Sequence, residues 1–411
     1  MNLLIVSQNF WPENFRINDL AAEMVRRGHS VTVLTGLPNY PAGEVYPEFR
    51  RDPAFFAKYQ GVEIVRSFVV PRGTGRARLV VNYLSFALCA SIVGPWKLRG
   101  RRFDAILVYE PSPVTVGIPG IVMSRVKSAP IAFWVLDAWP ETLEAMGVLR
   151  PGIFLDAIGR FVGWMYRQCM LVLAPSRGLV HKIAARSGQA DRVVYFPNWA
   201  EDLFHAEGEG VAPEVPLDPQ SFTILFAGNV GDAQDFPSIL DAAELLRFEP
   251  RIRWVIVGNG SAASWVIGEI KKRGLTKSFL MVGRHPVERM PSFYRHADAL
   301  LVSLRGEPIF ALTVPGKLPS YLASGKPIIA MMDGEGGGLI SHAEVGLACA
   351  AGDSRGLARI VRELAAMPHE ERAAMGARAR KLHDAEYDRG KLMNQMESWL
   401  QQIACARAAR P

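Results

Sequence analysis

Short β-branched and apolar runs alternate with helical stretches along the whole 411-residue chain. In the first half the runs are "LLIVSQ" (3–8), "VTVLTG" (31–36), "AILVYE" (105–110), "IAFWVLD" (131–137), "LVLAPS" (171–176) and "VVYFP" (193–197). In the second they are "FTILFAG" (222–228), "WVIVG" (254–258), "FLMVG" (279–283), "ALLVSL" (299–304) and "PIIAMM" (327–332). Runs that stay apolar at successive positions predict parallel strands covered by helices on both faces. The helix "DLAAEMVRRG" (19–28) ends at Gly28 and leads into the run from Val31, which makes a βαβ unit at the start. The segment 201–220 is rich in Gly, Pro and acid and reads as a linker. The expected fold is therefore α/β: two doubly wound, Rossmann-like domains, 1–200 and 221–385, facing across a cleft. Such sheets hold ligands at the carboxyl ends of their strands. The remaining segment, 386–411, is expected to be a C-terminal helix returning to the first domain.

Composition narrows the chemistry. Four scattered cysteines without a CxxC pair, and eight histidines without HxxxH or HExxH spacing, argue against a disulfide framework or structural zinc. A reducing, cytoplasmic setting is the expectation. No basic region followed by a small-residue cleavage site opens the chain, so no signal peptide is expected. The net charge of +7 is divided unevenly, +9 over residues 1–199 and −2 over 200–411. That asymmetry points the first half towards an anionic surface or ligand. Nucleic acid is not the expected partner, because no helix-turn-helix, finger or RNP-like motif accompanies the basic residues. The longest apolar run, "LVVNYLSFALCASIVGPW" (79–96), is interrupted by Asn82, Ser85, Ser91 and Gly94. It predicts a buried or membrane-touching helix before a spanning one.

Candidate chemistry gathers in the strand-to-helix turns of the second half. Gly228, Asn229 and Gly231 follow its first run, Gly258 and Gly260 the next, Gly283 and Arg284 the third. Glycines at such turns let backbone N–H groups face a phosphate. Lys317, in "VPGKLPSYLASGKPIIA" (314–330), sits where a helix should begin. A cation there opposes the helix dipole, unless an anion binds to both.

The ordered set of these segments resembles the retaining glycosyltransferases of family 4, which have the two-domain GT-B fold. "ILFAGNVGDAQDFPSILDAAELL", "WVIVGNG", "FLMVGRHPVERMPSFYRHADALLVSL" and "YFPNWAEDLF" are similar, in order, to that family's segments. "TGLPNYPAG" (35–43), "VLDAWPE" (135–141) and "VPGKLPSYLASGKPII" (314–329) are similar to the subgroup of WcaI- and WbuB-like fucosamine and colanic-acid transferases. The resemblance has a gap. The family's Glu-x7-Glu pair falls on Leu312 and Ser320, and its usual first-loop Lys on Ala233 and Gln234. Lys317, at the start of a different helix, can replace it.

The resemblance implies transfer of a sugar from a nucleotide diphosphate, a UDP-sugar, to a hydroxyl with retention. Its donor-side residues would be Gly228, Asn229, Gly258, Arg284, Lys317 and Ser320. Asp137, Glu141 and Lys317 are the catalytic candidates, and Glu13, Arg16, Asn18, Asn39 and Tyr40 the acceptor-side ones. No DxD motif accompanies them; Asp232 and Asp235 read as helix-capping residues, so no metal and no cofactor is expected. The expected acceptor is a saccharide on a polyprenyl diphosphate, met at a membrane surface. A UDP-sugar epimerase without an acceptor, and a two-lobed binding protein, are the alternatives.

Overall fold

The computed structural model describes residues 1–73, 75–204 and 210–408. The middle of the expected linker, 205–209, and the last three residues of the expected C-terminal helix lie outside the described residues. Contacts divide the chain into two compact units, Met1–Phe196 with Met393–Pro411, and Pro197–Leu392.

The first unit is built on eight strands: β1 (Asn2–Val6), β2 (Ser30–Thr35), β3 (Lys58–Tyr59), β4 (Val62–Arg66), β5 (Ala105–Glu110), β6 (Ile131–Val135), β7 (Leu171–Ala174) and β8 (Val193–Tyr195). Their order is β3-β4-β2-β1-β5-β6-β7-β8, parallel throughout except for the β3–β4 edge pair. The direction of winding reverses between β1 and β5. The segment at the end of the chain is helical from Arg389 to Ala408. Within this unit Glu397 pairs with Arg27 at 2.7 Å and with His29 at 2.8 Å, and Trp399 meets Phe196 edge to face.

The second unit holds β9 (Phe222–Ala227), β10 (Ile252–Val257), β11 (Phe279–Gly283), β12 (Ala299–Ser303), β13 (Ile328–Met331) and β14 (Gly346–Cys349). Their order, β11-β10-β9-β12-β13-β14, is that of a dinucleotide-binding sheet. Alternate residues of β9 enter opposite cores, Ile224 and Phe226 on one face, Leu225 and Ala227 on the other. That is why its sequence reads as one apolar run. β9 and β12 pair only through Ile224–Ala299 and Leu225–Leu300, so the two strands part before their carboxyl ends and leave a crevice there.

The expected linker is not free-standing. Phe204, Ala212 and Val215 are buried in a core of the second unit, because these small and apolar residues punctuate its polar sequence.

Candidate functional site

The crevice of the second unit is where its sequence-nominated residues meet. Tyr321 sets the geometry. Its hydroxyl accepts from the Ala227 N–H at 2.8 Å and donates to the Ala227 carbonyl at 3.2 Å, fixing the helix Leu318–Ser324 to the end of β9. Lys317 caps that helix, and its Nζ lies 3.4 Å from the centroid of the Phe226 ring. The Lys317 stem is partly exposed, but its Nζ is closed off from solvent and has no hydrogen-bond partner. Burial alone brings its pKa down to about 7. A ring face attracts a cation but replaces only part of its hydration. The helix is seven residues long, so little of the attraction for an anion comes from its dipole. The expectation that dipole and cation share that task shifts towards the cation.

Gly228 makes room for this amine. A Cβ there would stand 3.0 Å from Lys317 Nζ, and the backbone φ of +141° disfavours any side chain. Gly258 serves Gly228 in turn: a Cβ at 258 would lie 1.8 Å from the Gly228 carbonyl oxygen. Gly258 N–H donates to the Gly283 carbonyl at 2.7 Å, so the turns after β9, β10 and β11 form one continuous rim. Asn229 and Arg284 are exposed on that rim. Gly258 thus acts through packing rather than by facing a ligand.

Two donor-side expectations need correction. Ser320 is buried; its hydroxyl donates to the Lys317 carbonyl at 2.7 Å and faces Tyr294, so it braces the Lys317 turn instead of presenting a hydroxyl to the donor. Asp235 stands at the N-cap of the helix Phe236–Leu245, yet its side chain makes no capping bond, because its backbone is left-handed (φ 51°).

In the first unit the carboxyl-end loops are tied to one another. Glu13 is buried, and its two oxygens accept from the N–H groups of Asn39 and Tyr40, both at 2.7 Å, and of Phe10 at 3.2 Å. Asn18 donates to the Glu13 carbonyl at 2.7 Å. Asn39 donates to Leu37 and accepts from the Arg72 N–H at 3.0 Å. These three residues therefore hold the acceptor-side loops together, and of their side-chain oxygens only the buried Asn18 Oδ1 is left without a partner. Arg16 opens the helix Arg16–Arg26 and lies beside the Tyr109 hydroxyl. Tyr40 keeps a partly exposed ring, against Phe15 and under the Arg72 guanidinium.

Burial pushes the Glu13 carboxyl up to about 7, against its three N–H donors and Arg66. Because this value lies above that of the unfolded chain, the unfolded state ionises first as pH rises. Stability then falls by up to about 3 kcal/mol between pH 4.5 and 7. Urea midpoints compared at pH 5 and pH 8 are expected to show this loss in the wild type and a smaller one in Glu13→Gln.

Asp137 is enclosed beyond β6, where Thr142 Oγ1 donates to it at 2.5 Å. Burial raises its pKa, against the Thr142 and Ser112 hydroxyls. Beside it lies a residue that sequence reasoning missed. Glu110, the fully buried last residue of β5, is raised well above the carboxylate range by burial, and further by the Asp137 charge. A strand-ending Glu gives no sequence signal of its own, since such positions are often solvated. Glu141 does not join this pair: Lys182 at 3.1 Å and Arg186 hold its carboxylate, so it is a structural ion pair and not a catalytic carboxylate.

Two Rossmann-like units in one chain, with a loop rim and an unpaired lysine at the crevice of the second, define a two-domain transferase of the GT-B class. Residues 14–199 match the model of the glycosyl transferase 4-like domain, and residues 212–382 that of glycosyl transferases group 1. WcaI of Escherichia coli, named for colanic acid biosynthesis as a glycosyl transferase, is 24% identical over 79% of this chain and 82% of its own. WbjE of Pseudomonas aeruginosa, named as a glycosyltransferase, is 28% identical over 56% of this chain and 59% of its own. The crystal structure of Anabaena HepE in complex with UDP-glucose has the same fold, with a TM-score of 0.68 at 14% identity over 98% of this chain and 100% of that one. The chain belongs to the family-4 glycosyltransferases, in the WcaI-like group.

Proposed function

We propose that this glycosyltransferase moves a sugar from a UDP-sugar, with retention at the anomeric carbon, to a saccharide on a polyprenyl diphosphate. The product would serve a bacterial surface polysaccharide, assembled at the cytoplasmic face of the membrane. WcaI's assignment to colanic acid and the UDP-glucose complex of HepE support the polysaccharide and the donor class. The observation that carries the reading is the enclosed, unpartnered Lys317 amine beside the backbone of Gly228.

An amine without a partner in a dry site is costly, and a diphosphate removes that cost. As the sugar–phosphate bond breaks, negative charge grows on the departing diphosphate while the sugar becomes oxocarbenium-like. Lys317 and the Asn229 N–H stabilise the growing charge, and preorganised groups of this kind are usually the largest catalytic term. The N–H groups of Gly228, Val230 and Gly231 are spent on Val257, Asn259 and Gln234. A phosphate oxygen takes the acceptor's proton in this reading. Asp137 and Glu110, raised by burial, shape the first unit's loops in a less charged state.

Lys317 replaces a divalent ion in this scheme, and among the described residues no three His, Cys, Asp or Glu side chains gather to hold one. Activity is expected to stay unchanged in excess EDTA; a loss restored by Mn²⁺ or Mg²⁺ would reassign the diphosphate to a metal. Product analysis with labelled UDP-sugar and lipid-linked acceptor tests the function. Transfer only when acceptor is present is expected, and interconversion of the UDP-sugar without acceptor would point to an epimerase.

A further inference from the structure

The helix Arg76–Lys97 carries a row of side chains four residues apart, Val80, Leu84, Leu88, Ile92 and Trp96, which are 52% to 65% exposed. A monomeric soluble protein rarely leaves so long an apolar stripe in water. The helix is long and apolar enough to cross a membrane, but its other face is committed to the fold. Phe86 and Ala90 are buried, and Asn82 accepts from Gln8 Nε2 at 2.7 Å and donates to the Val70 carbonyl at 2.6 Å.

The exposed surface does not stop at this helix. Leu34, Val6, Val108 and Phe133 are successive register partners across β2, β1, β5 and β6, so they share one face of the sheet. Three helices sit on that row. Arg76–Lys97 reaches Leu34 through Gly94, Gly117–Lys127 reaches Val108 through Gly120, and Ile153–Arg167 sets Tyr166 edge to face against Phe133. Close approach at Gly94 (to Met123) and at Gly117 (to Met165) sets the three side by side. The middle helix leaves Val126 exposed. The third begins with Ile153 and Phe154, 73% and 76% exposed, and carries the stacked pair Phe161–Trp164.

Charge identifies the occupant. Residues 67–103, 111–128 and 145–170, which contain these helices, hold twelve Lys and Arg and one acid, Asp156. Arg101 is paired with Glu63, and Asp104, Glu110 and Glu144 adjoin these segments. The excess of cations remains: an apolar face with a mainly cationic surround suits an anionic bilayer better than a protein partner of ordinary composition.

We propose that this three-helix layer docks flat on an anionic lipid surface, with Ile153 and Phe154 as a second insertion point beside the Val80–Trp96 stripe. The proposal deepens the lipid-linked acceptor reading and rests on it only for its purpose, since binding to lipid is independent of the donor. Asn82 gives the purpose a structural route. It joins the docked helix to Gln8 and, at 3.5 Å, to Asn39, in the acceptor-side loops.

Vesicle flotation tests the proposal. Full-length protein should float with phosphatidylglycerol-containing vesicles at low salt, sink at high salt as screening sets in, and ignore pure phosphatidylcholine. Alkaline carbonate should release it. The double variant Ile153→Asp/Phe154→Asp should lose tenfold or more in vesicle affinity with an unchanged melting temperature, and Leu88→Glu should do the same. Failure to float with anionic vesicles at low salt overturns docking, and so does resistance to carbonate, which would mean a spanning helix. Wild-type flotation by the 153/154 variant overturns the second insertion point, as would a stable lipid-free dimer that this variant disrupts. Flotation without any UDP-sugar binding would support the docking while removing the donor reading.

Discussion

Lys317→Met is expected to weaken UDP-sugar binding by about 1.5–3 kcal/mol, the range for a hydrogen bond to a charged group. The same variant should make the ligand-free protein more stable at neutral pH. In the free protein Lys317 is held at about 7, below the 10.5 of an unperturbed lysine, so folding carries a penalty that is complete below pH 7 and fades towards 10.5. Wild-type stability should therefore gain a rising component between those values that the variant lacks. Donor affinity has the opposite slope. A UDP-sugar keeps its charge over this range, so affinity should fall as pH rises above 7 and the amine loses its proton. Calorimetry and thermal melting of the two proteins measure both signs. An ordinary exposed lysine would give a small effect on affinity and none on ligand-free stability.

Gly258→Ala should be the more damaging change to the fold of the site. Its Cβ would fall 1.8 Å from the Gly228 carbonyl oxygen, a backbone atom that cannot swing aside, at a φ of +157°. Relief requires the β9 and β10 turns to separate, which breaks the rim and the bond from the Gly228 N–H to the Val257 carbonyl. A loss of about 3 kcal/mol or more in stability is expected, at the upper end for single substitutions, together with loss of donor binding. Urea unfolding measures the first and calorimetry the second. Gly268→Ala, in a helix of the same unit with open space around it, is the matched control and should be neutral or slightly stabilising.

Most of the sheet was legible because its strands are buried on both faces and so read as unbroken apolar runs. The strands that escaped notice lack that mark. β4, "VEIVR", lies near an edge and mixes charge with apolar residues, and β14, "GLAC", is short and made of small ones. The glycine turns and Lys317 were legible as residues at strand ends, but their division of labour was not. Gly228 accommodates the amine, Gly258 accommodates Gly228, and Ser320 accommodates the Lys317 turn. Such roles depend on which atoms approach across strands, and a linear pattern does not carry that. Glu13, Asn18 and Asn39 looked like free polar groups for the same reason. Glu13 and Asn39 are tied to each other and to Arg72 across loops brought together only by folding, while Asn18 turns back on the Glu13 carbonyl of its own loop. Glu141 likewise pairs with residues more than forty positions away.

The central claim is that a nucleoside diphosphate binds the Lys317 amine in the crevice between β9 and β12. UDP itself, the part shared by every proposed donor, tests it at pH 8, where the ligand is fully ionised and the free amine is mostly neutral. Titration calorimetry in two buffers of different ionisation heat counts the protons taken up. Close to one proton per UDP bound is expected for the wild type, because the diphosphate draws the amine back to its charged form. Little or none is expected for Lys317→Met. Tight binding of UDP to the wild type with no proton uptake, or unchanged affinity in the variant, would contradict it.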